Sequence, residues 1–415
     1  MCRKRSSVIV GLVAALGLVA ASAPASLAAP SRSTMPTATR QLVYRQGWNV
    51  YLMDTQTGVK RAITTDGSGY NGIYYPWYQW SPDGKYLLLV RTNGARQTAT
   101  NVDLLLMQSG GSTLRTLVSG VVLPDFNPSW ALDGNQIVYI AQQRMDTTGV
   151  LHNTVSSIDV GGHSTVLWRY DNRQGCGGGT PVPAEQLRWT EVGPLGMQRT
   201  MQWSMAQHLA VYSATCGHGL NVTDTVTGRT QLLDPKGMSW AGGALSRQGK
   251  LAVVSRTTGT DVQQVLVTAP RPGAASRTVA PGELPAWSPD GQALYFVQRT
   301  PIGGFAFTSP QTGDYRAQVY TSAVWRARAD GSMPALVLAQ DAYAFGPLTI
   351  RAGGASIIYS SVDNMTALAY HLLPNHTYTP TLFQRYGPQV RIQQYVSGSG
   401  ITTLLRGAGN PAAQP

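Results

Sequence analysis

Short apolar runs recur along this chain, and each stands behind a polar turn rich in aspartate and glycine. Tyr86-Leu87-Leu88-Leu89-Val90, Ile137-Val138-Tyr139-Ile140, Leu209-Ala210-Val211-Tyr212, Leu251-Ala252-Val253-Val254, Ala293-Leu294-Tyr295-Phe296-Val297 and Ile357-Ile358-Tyr359 have the length and β-branched or aromatic content of buried strands. No helical period runs between them. Ahead of two runs stands a full motif, Trp80-Ser81-Pro82-Asp83-Gly84 and Trp287-Ser288-Pro289-Asp290-Gly291, and ahead of a third stands Trp130-Ala131-Leu132-Asp133-Gly134. Worn copies precede the others: Trp203-Ser204, Leu245-Ser246 to Gly249-Lys250, and Ile350 to Gly354.

Each copy continues in the same way, with a second strand, a tight turn and a third strand. After the first motif these are Val102 to Met107, Ser109-Gly110-Gly111 and Leu114 to Val118. Later turns read Val160-Gly161-Gly162, Thr225 to Gly228 and Ala329-Asp330-Gly331, the chemistry of positive-φ hairpins. Counting the strand that carries Trp, the unit is a four-stranded antiparallel meander, A-B-C-D, with Pro-Asp-Gly as its A–B turn. Units 42 to 73 residues apart without intervening helices predict radial blades.

The Trp-Ser-Pro-Asp-Gly motif followed by an apolar strand resembles the WD-like repeats of TolB-type β-propellers and of the propellers attached to prolyl oligopeptidase-like enzymes. The resemblance spans Gln41 to about Val396 and implies structural work for its residues. Trp80, Trp130 and Trp287 would pack between blades; Asp83, Asp133 and Asp290 would cap their turns, with Gly84, Gly134 and Gly291 taking the left-handed residue. The α/β domain that precedes the propeller in TolB has no counterpart ahead of the first strand, so the resemblance implies the fold and not the Tol-system role.

The expected architecture is all-β, a seven-bladed propeller, or six blades if one worn copy is misread. Leu42-Val43-Tyr44, Trp48 to Asp54 and Lys60 to Thr64 read as strands B, C and D of an opening blade without its A strand. Gln389 to Val396 reads as that missing strand, closing the ring and removing two sheet edges. The domain reading is residues 1–29 as a secretory signal peptide, 30–40 as linker, 41–397 as propeller and 398–415 as a C-terminal tail.

Composition supports this picture and removes one alternative. The 45 Gly and 25 Pro in 415 residues exclude a mainly helical chain. Arg3, Lys4 and Arg5 precede the apolar run Val8 to Ala23 and then small residues through Ala29, which is the layout of a secretory signal. Excluding residues 1–29, Lys+Arg falls from 32 to 29 against 20 Asp+Glu, a net +9, and the cations are scattered. A nucleic-acid groove is therefore not expected, nor is a membrane span beyond the signal. Cys176 and Cys216, the two cysteines left, are expected to form a disulfide in an exported chain, which points to a secreted, periplasmic or cell-envelope location.

Strand alternation puts A–B and C–D turns on one face and B–C and D–A connections on the other. The long segments, 66–79, 91–101, 142–153, 170–202 and 299–320, all fall on that second face, where a binding surface is expected. Tyr70, Tyr74, Tyr75, Tyr170, Arg173 and Arg188 are its candidate ligand-binding residues, because Tyr and Arg combine area with a polar handle. Gly-x-Ser-x-Gly is absent, only three Glu occur, and the six His show no metal-ligand spacing, so no catalytic residue, metal or cofactor is assigned. The main reading is a monomeric, non-catalytic propeller binding a protein or a cell-envelope glycan. The alternative is a glycan-active lyase or hydrolase with two carboxylates converging on the channel mouth.

Overall fold

The structure, a computed structural model, describes residues 41–69, 72–93, 102–111, 113–121, 128–173, 201–213, 220–233, 240–256, 263–309, 313–340, 343–351, 354–362 and 391–413. They form seven four-stranded antiparallel sheets. Blade 1 contains β1 (Gln41–Gln46), β2 (Asn49–Asp54) and β3 (Lys60–Ala62). Blade 2 follows with β4 (Ile73–Trp80), β5 (Tyr86–Asn93), β6 (Val102–Gln108) and β7 (Leu114–Val121). Blade 3 holds β8 (Ser129–Trp130), β9 (Gln136–Met145), β10 (Val150–Asp159) and β11 (Ser164–Arg173), and blade 4 holds β12 (Gln202–Ser204), β13 (Leu209–Ser213), β14 (Leu220–Asp224) and β15 (Thr230–Leu232).

Blade 5 is β16 (Trp240–Leu245), β17 (Leu251–Arg256), β18 (Gln263–Thr268) and β19 (Ser276–Pro281). In blade 6, β20 (Glu283–Trp287) and β23 (Ala335–Gln340) flank the long pair β21 (Ala293–Ser309) and β22 (Gly313–Arg328). Blade 7 is β24 (Tyr343–Ile350), β25 (Ser356–Val362), β26 (Arg391–Val396) and β27 (Gly400–Arg406), after which β28 (Gly409–Ala413) returns to pair with β1.

The A strands touch in an unbroken cycle, β28 to β4, β8, β12, β16, β20, β24 and back to β28, so they surround one axis. Seven apolar clusters fill the seven seams between blades. Alternation explains the unbroken apolar runs. Leu87 and Leu89 face blade 1, while Leu88 and Val90 face blade 3, so every residue of the run is buried from one side or the other.

Ring closure differs from the sequence reading. Residues 391–396 are the third strand of blade 7, and the closing strand is β28. The stretch expected to be a tail, 398–415, thus supplies β27 and β28. It reads as a tail because it is Gly-rich and carries Pro411. A closing strand at the axis tolerates both features. β28 is paired on one side only, and Pro411 falls where the register slips between the Val43–Ala412 and Arg45–Gly409 pairs, so its missing N–H costs no ladder bond.

Candidate functional site

The two faces of the disc are built differently. On the short-turn face, Ser81 Oγ accepts from Tyr86 N (2.9 Å) and donates to Asp83 Oδ1 (2.7 Å), which also accepts from Lys85 N (3.1 Å). Ser288 and Asp290 repeat the arrangement, with Ala293 N at 2.9 Å, the Ser288 hydroxyl at 2.5 Å and Gln292 N at 3.1 Å. Gly84 and Gly291 take left-handed φ of 69° and 66°. Partial burial pushes the Asp83 carboxyl up, but the bonds from Ser81, Lys85 N–H and Asn135 outweigh it and hold it at about 2. Asp290 is lowered chiefly by the Ser288 hydroxyl and then by Gln292 N–H.

Blade 3 departs from this pattern, and Asp133 does not cap its own turn. Ala131 occupies the serine position, so the Asp133 carboxylate turns to blade 4 and accepts from Ser204 Oγ (2.5 Å), Met205 N (2.8 Å) and Ala206 N (2.9 Å). Leu132 N donates to Trp203 O (2.9 Å) across the same seam. Gly134 is not left-handed; a Cβ there would stand 2.7 Å from Met205 Sδ. Its role is close approach between turns.

The motif tryptophans are staples. Trp80 Nε1 donates to Ala412 O (3.2 Å), Trp130 Nε1 to Gln79 O (3.1 Å) and Trp287 Nε1 to Ala244 O (2.7 Å), in each case a carbonyl of the preceding blade's A strand. Arg247 of blade 5 donates to Pro82 O of blade 2 at 3.2 Å. Those blades are three steps apart on a seven-membered ring, so this guanidinium reaches over the axis and obstructs that mouth of the channel.

On the long-connection face, Tyr74 and Tyr75 are buried, contrary to a role as exposed ligand contacts. Tyr75 packs in the seam between blades 1 and 2, and its hydroxyl donates to Asp66 Oδ1 at 2.7 Å. Burial, reinforced by that carboxylate, pushes its pKa up. Arg91 bridges Asp66 (3.1 Å) and Asp103 (3.4 Å), joining the rim of blade 1 to blade 2. Partial burial raises the Asp66 carboxyl, yet the bonds from Tyr75 and Arg91 bring it below its ordinary value. Tyr170 is half-buried against Tyr212, with ring centroids 6.2 Å apart, at the seam of blades 3 and 4. Arg173 ends β11, opposite Val150. Tyr70, Arg188, Cys176 and Cys216 lie outside the described residues, as does the expected signal segment.

Two features of this face went unread in the sequence. Segments 142–153 and 299–320, expected to be loops, are largely strand. In blade 6, β20 stops pairing at Val297 and β23 at Ser322, whereas β21 and β22 continue to Ser309–Gly313. A two-stranded ribbon roughly 35 Å long therefore stands above the disc, at about 3.3 Å per residue. At its base the Arg299 guanidinium donates to Glu283 of the inner strand. In blade 3, β8 pairs only with Ile137 and Val138, while β9, β10 and β11 run on together to Met145, Val150 and Arg173.

On that blade 3 extension, His152 joins two carboxylates, with Nδ1 2.7 Å from Asp171 Oδ1 and Nε2 3.3 Å from Asp146 Oδ2. The bond to Asp171, then that to Asp146, raises the imidazole pKa. Asp146 is held at about 2, first by Val150 N–H and then by Thr148. With both ring nitrogens committed, this is an ion-pair bridge; among the described residues no group of His, Cys, Asp or Glu is arranged to hold a metal ion. The charge alternation of Arg169, Asp171 and Arg173 was the available signal on β11, while Gln142-Gln143-Arg144 on β9 carries none.

No protein-family profile and no curated protein matches this chain. Among solved structures, TolB from Acinetobacter baumannii is similar at 16% identity and a TM-score of 0.41, covering 74% of this chain and 64% of its own, so the chain spans less than two thirds of TolB. An oligogalacturonate lyase in complex with manganese aligns at 13% identity and 0.48, covering 76% and 79%. A putative 6-phosphogluconolactonase from Bacteroides fragilis aligns at 13% and 0.44, covering 90% and 96%. These likenesses concern the arrangement of strands, which the sheet order and ring of A strands establish independently.

Proposed function

We propose that this protein is an exported, non-catalytic propeller that holds a protein or cell-envelope glycan partner on its long-connection face. The observation that carries the reading is the asymmetry of the disc. Blades 3 and 6 both rise above the same face, and they stand three steps apart, roughly 150° around a seven-bladed ring. They flank the axis as two walls, and the Arg247 contact obstructs the opposite mouth, so a partner is approached from the walled side. Export rests on the charge and apolar pattern of residues 1–29.

The test is capture from a cell-envelope extract by the full chain and by a variant in which residues 301–320 are replaced with a two-residue Asn-Gly turn. Loss of the captured component with an unchanged melting midpoint is expected. Equal recovery by both chains would remove the ribbon from the binding surface.

A further inference from the structure

The distal part of blade 3 carries two exposed arginines, Arg144 and Arg169, that make no ion pair among the described residues. Pairing places His152 opposite both Arg144 of β9 and Asp171 of β11, and Thr154 opposite both Gln142 and Arg169. Val150, two residues on, stands opposite Arg173. Residues paired across strands share a sheet face, as do residues two apart. Arg144, Arg169, Arg173, His152, Asp146 and Asp171 therefore belong to one side of the extension. It is the side turned to blade 2, because Val155 on the other side packs in the seam with blade 4.

Both carboxylates there bond His152, and among the described residues neither pairs with an arginine. Arg144 and Arg169 are exposed and make no ion pair or hydrogen bond among the described residues. Their positions are two strands and one row apart, about 12 Å at normal sheet spacings. The result is an exposed surface with two guanidinium groups on either side of a histidine bridge.

We infer that this side of blade 3 binds a carboxylate-bearing glycan, with Arg144 and Arg169 receiving the carboxylates and Asp146 and Asp171 accepting from neighbouring hydroxyls. The mixture of groups favours such a chain over nucleic acid. A planar guanidinium matches a carboxylate fork. The two aspartates, however, would repel a closely spaced phosphate track and would find no hydroxyl donor on a DNA backbone. An acidic glycan offers a hydroxyl beside each charge, so every group on the surface gains a partner. This inference rests on the binding role proposed for the long-connection face and names the partner's chemistry.

The test is titration of the purified full chain with soluble alginate at low salt, beside neutral dextran and a single-stranded DNA of matched charge. Saturable alginate binding is expected, weakened roughly tenfold by Arg144→Gln or Arg169→Gln and roughly a hundredfold by the pair, since each lost charged contact removes about 1.4 kcal/mol. Arg277→Gln, on the short-turn face, should bind as the parent does, and all variants should keep the parent melting midpoint. Equal binding of dextran, equal or tighter binding of DNA, or full binding by the double variant would each overturn the inference. Should the double variant lose nothing in alginate binding yet the ribbon replacement abolish envelope capture, this assignment fails while the proposed function stands.

Discussion

The two faces of the disc use polar residues in opposite ways. On the short-turn face, Asp83, Asp133 and Asp290 are saturated by hydroxyls and backbone N–H groups within three turns of the ring. Even Gln207 and Gln248 spend their amides on carbonyls of the next blade, Arg247 O and Asp290 O. On the long-connection face, strands outrun their neighbours, and Arg144 and Arg169 have no ion-pair partner among the described residues. One face closes the ring and the other leaves donors for something else to satisfy. The same repeat therefore yields an end tied together by hydrogen bonds and an end with freely projecting strands, the one proposed to bind a partner, because inner turns must meet around an axis and outer connections need not.

Removing β28 should break the first half of that contrast outright. A chain ending at residue 407 exposes the β1 edge and strips Trp80 of its acceptor at Ala412. We expect no cooperative melting transition by circular dichroism, and a normal transition would mean the ring closes otherwise. Trp130→Ala comes next, at about 3–5 kcal/mol for a fully buried indole in the seam of blades 2 and 3. Trp130→Phe should cost only about 1–2 kcal/mol, through the lost bond to Gln79 O and some packing. Denaturant melts of the pair separate stapling from filling.

Asp133→Ala should cost about 1–2 kcal/mol, because it strips a charged acceptor from three donors of the adjacent blade. The comparison sharpens with proteolysis. Asp133→Ala should loosen blade 4 around Met205, whereas Asp290→Ala should loosen its own turn.

Acid provides a smaller and graded effect. The Asp83 carboxyl lies at about 2 when folded against an ordinary 3.8, so its folded pKa is depressed. Its contribution is present above about pH 4 and fades as pH falls through 2, since the unfolded chain takes up the proton first. Melting midpoints between pH 5 and 2 should decline less steeply in Asp83→Asn than in the parent. The smallest effect on stability is expected from replacing residues 301–320, which should leave the melting midpoint within about 2 °C, because beyond Val297 and Ser322 the ribbon is paired only with itself. A larger fall would show that the ribbon belongs to the closed ring after all.

Much of the ring was legible in advance. Trp-Ser-Pro-Asp-Gly places a staple, a cap and a left-handed glycine at fixed offsets, and in blades 2 and 6 each does that local work. Blade 3 shows where local reading stops. Asp133 and Gly134 stand at the same offsets, yet with Ala131 in place of serine they serve blade 4, whose approach is set by packing of the seam. Tyr74 and Tyr75 likewise fall in a segment of binding-site composition, yet both lie in β4 and are buried, Tyr75 in the seam with blade 1.

The sequence by itself determined the strand-turn-strand repeat and the side on which long connections emerge, because both follow from chain-local periodicity and turn chemistry, and it pointed to seven blades with six as the other count. Tertiary structure decided which strand closes the ring, which blades rise above the disc and which cations remain unpaired. Ring closure depends on partners hundreds of residues apart, such as Leu42 against Ala413, whose pairing has no trace in the period of either segment, whereas the rise of blades 3 and 6 depends on where the neighbouring strands stop.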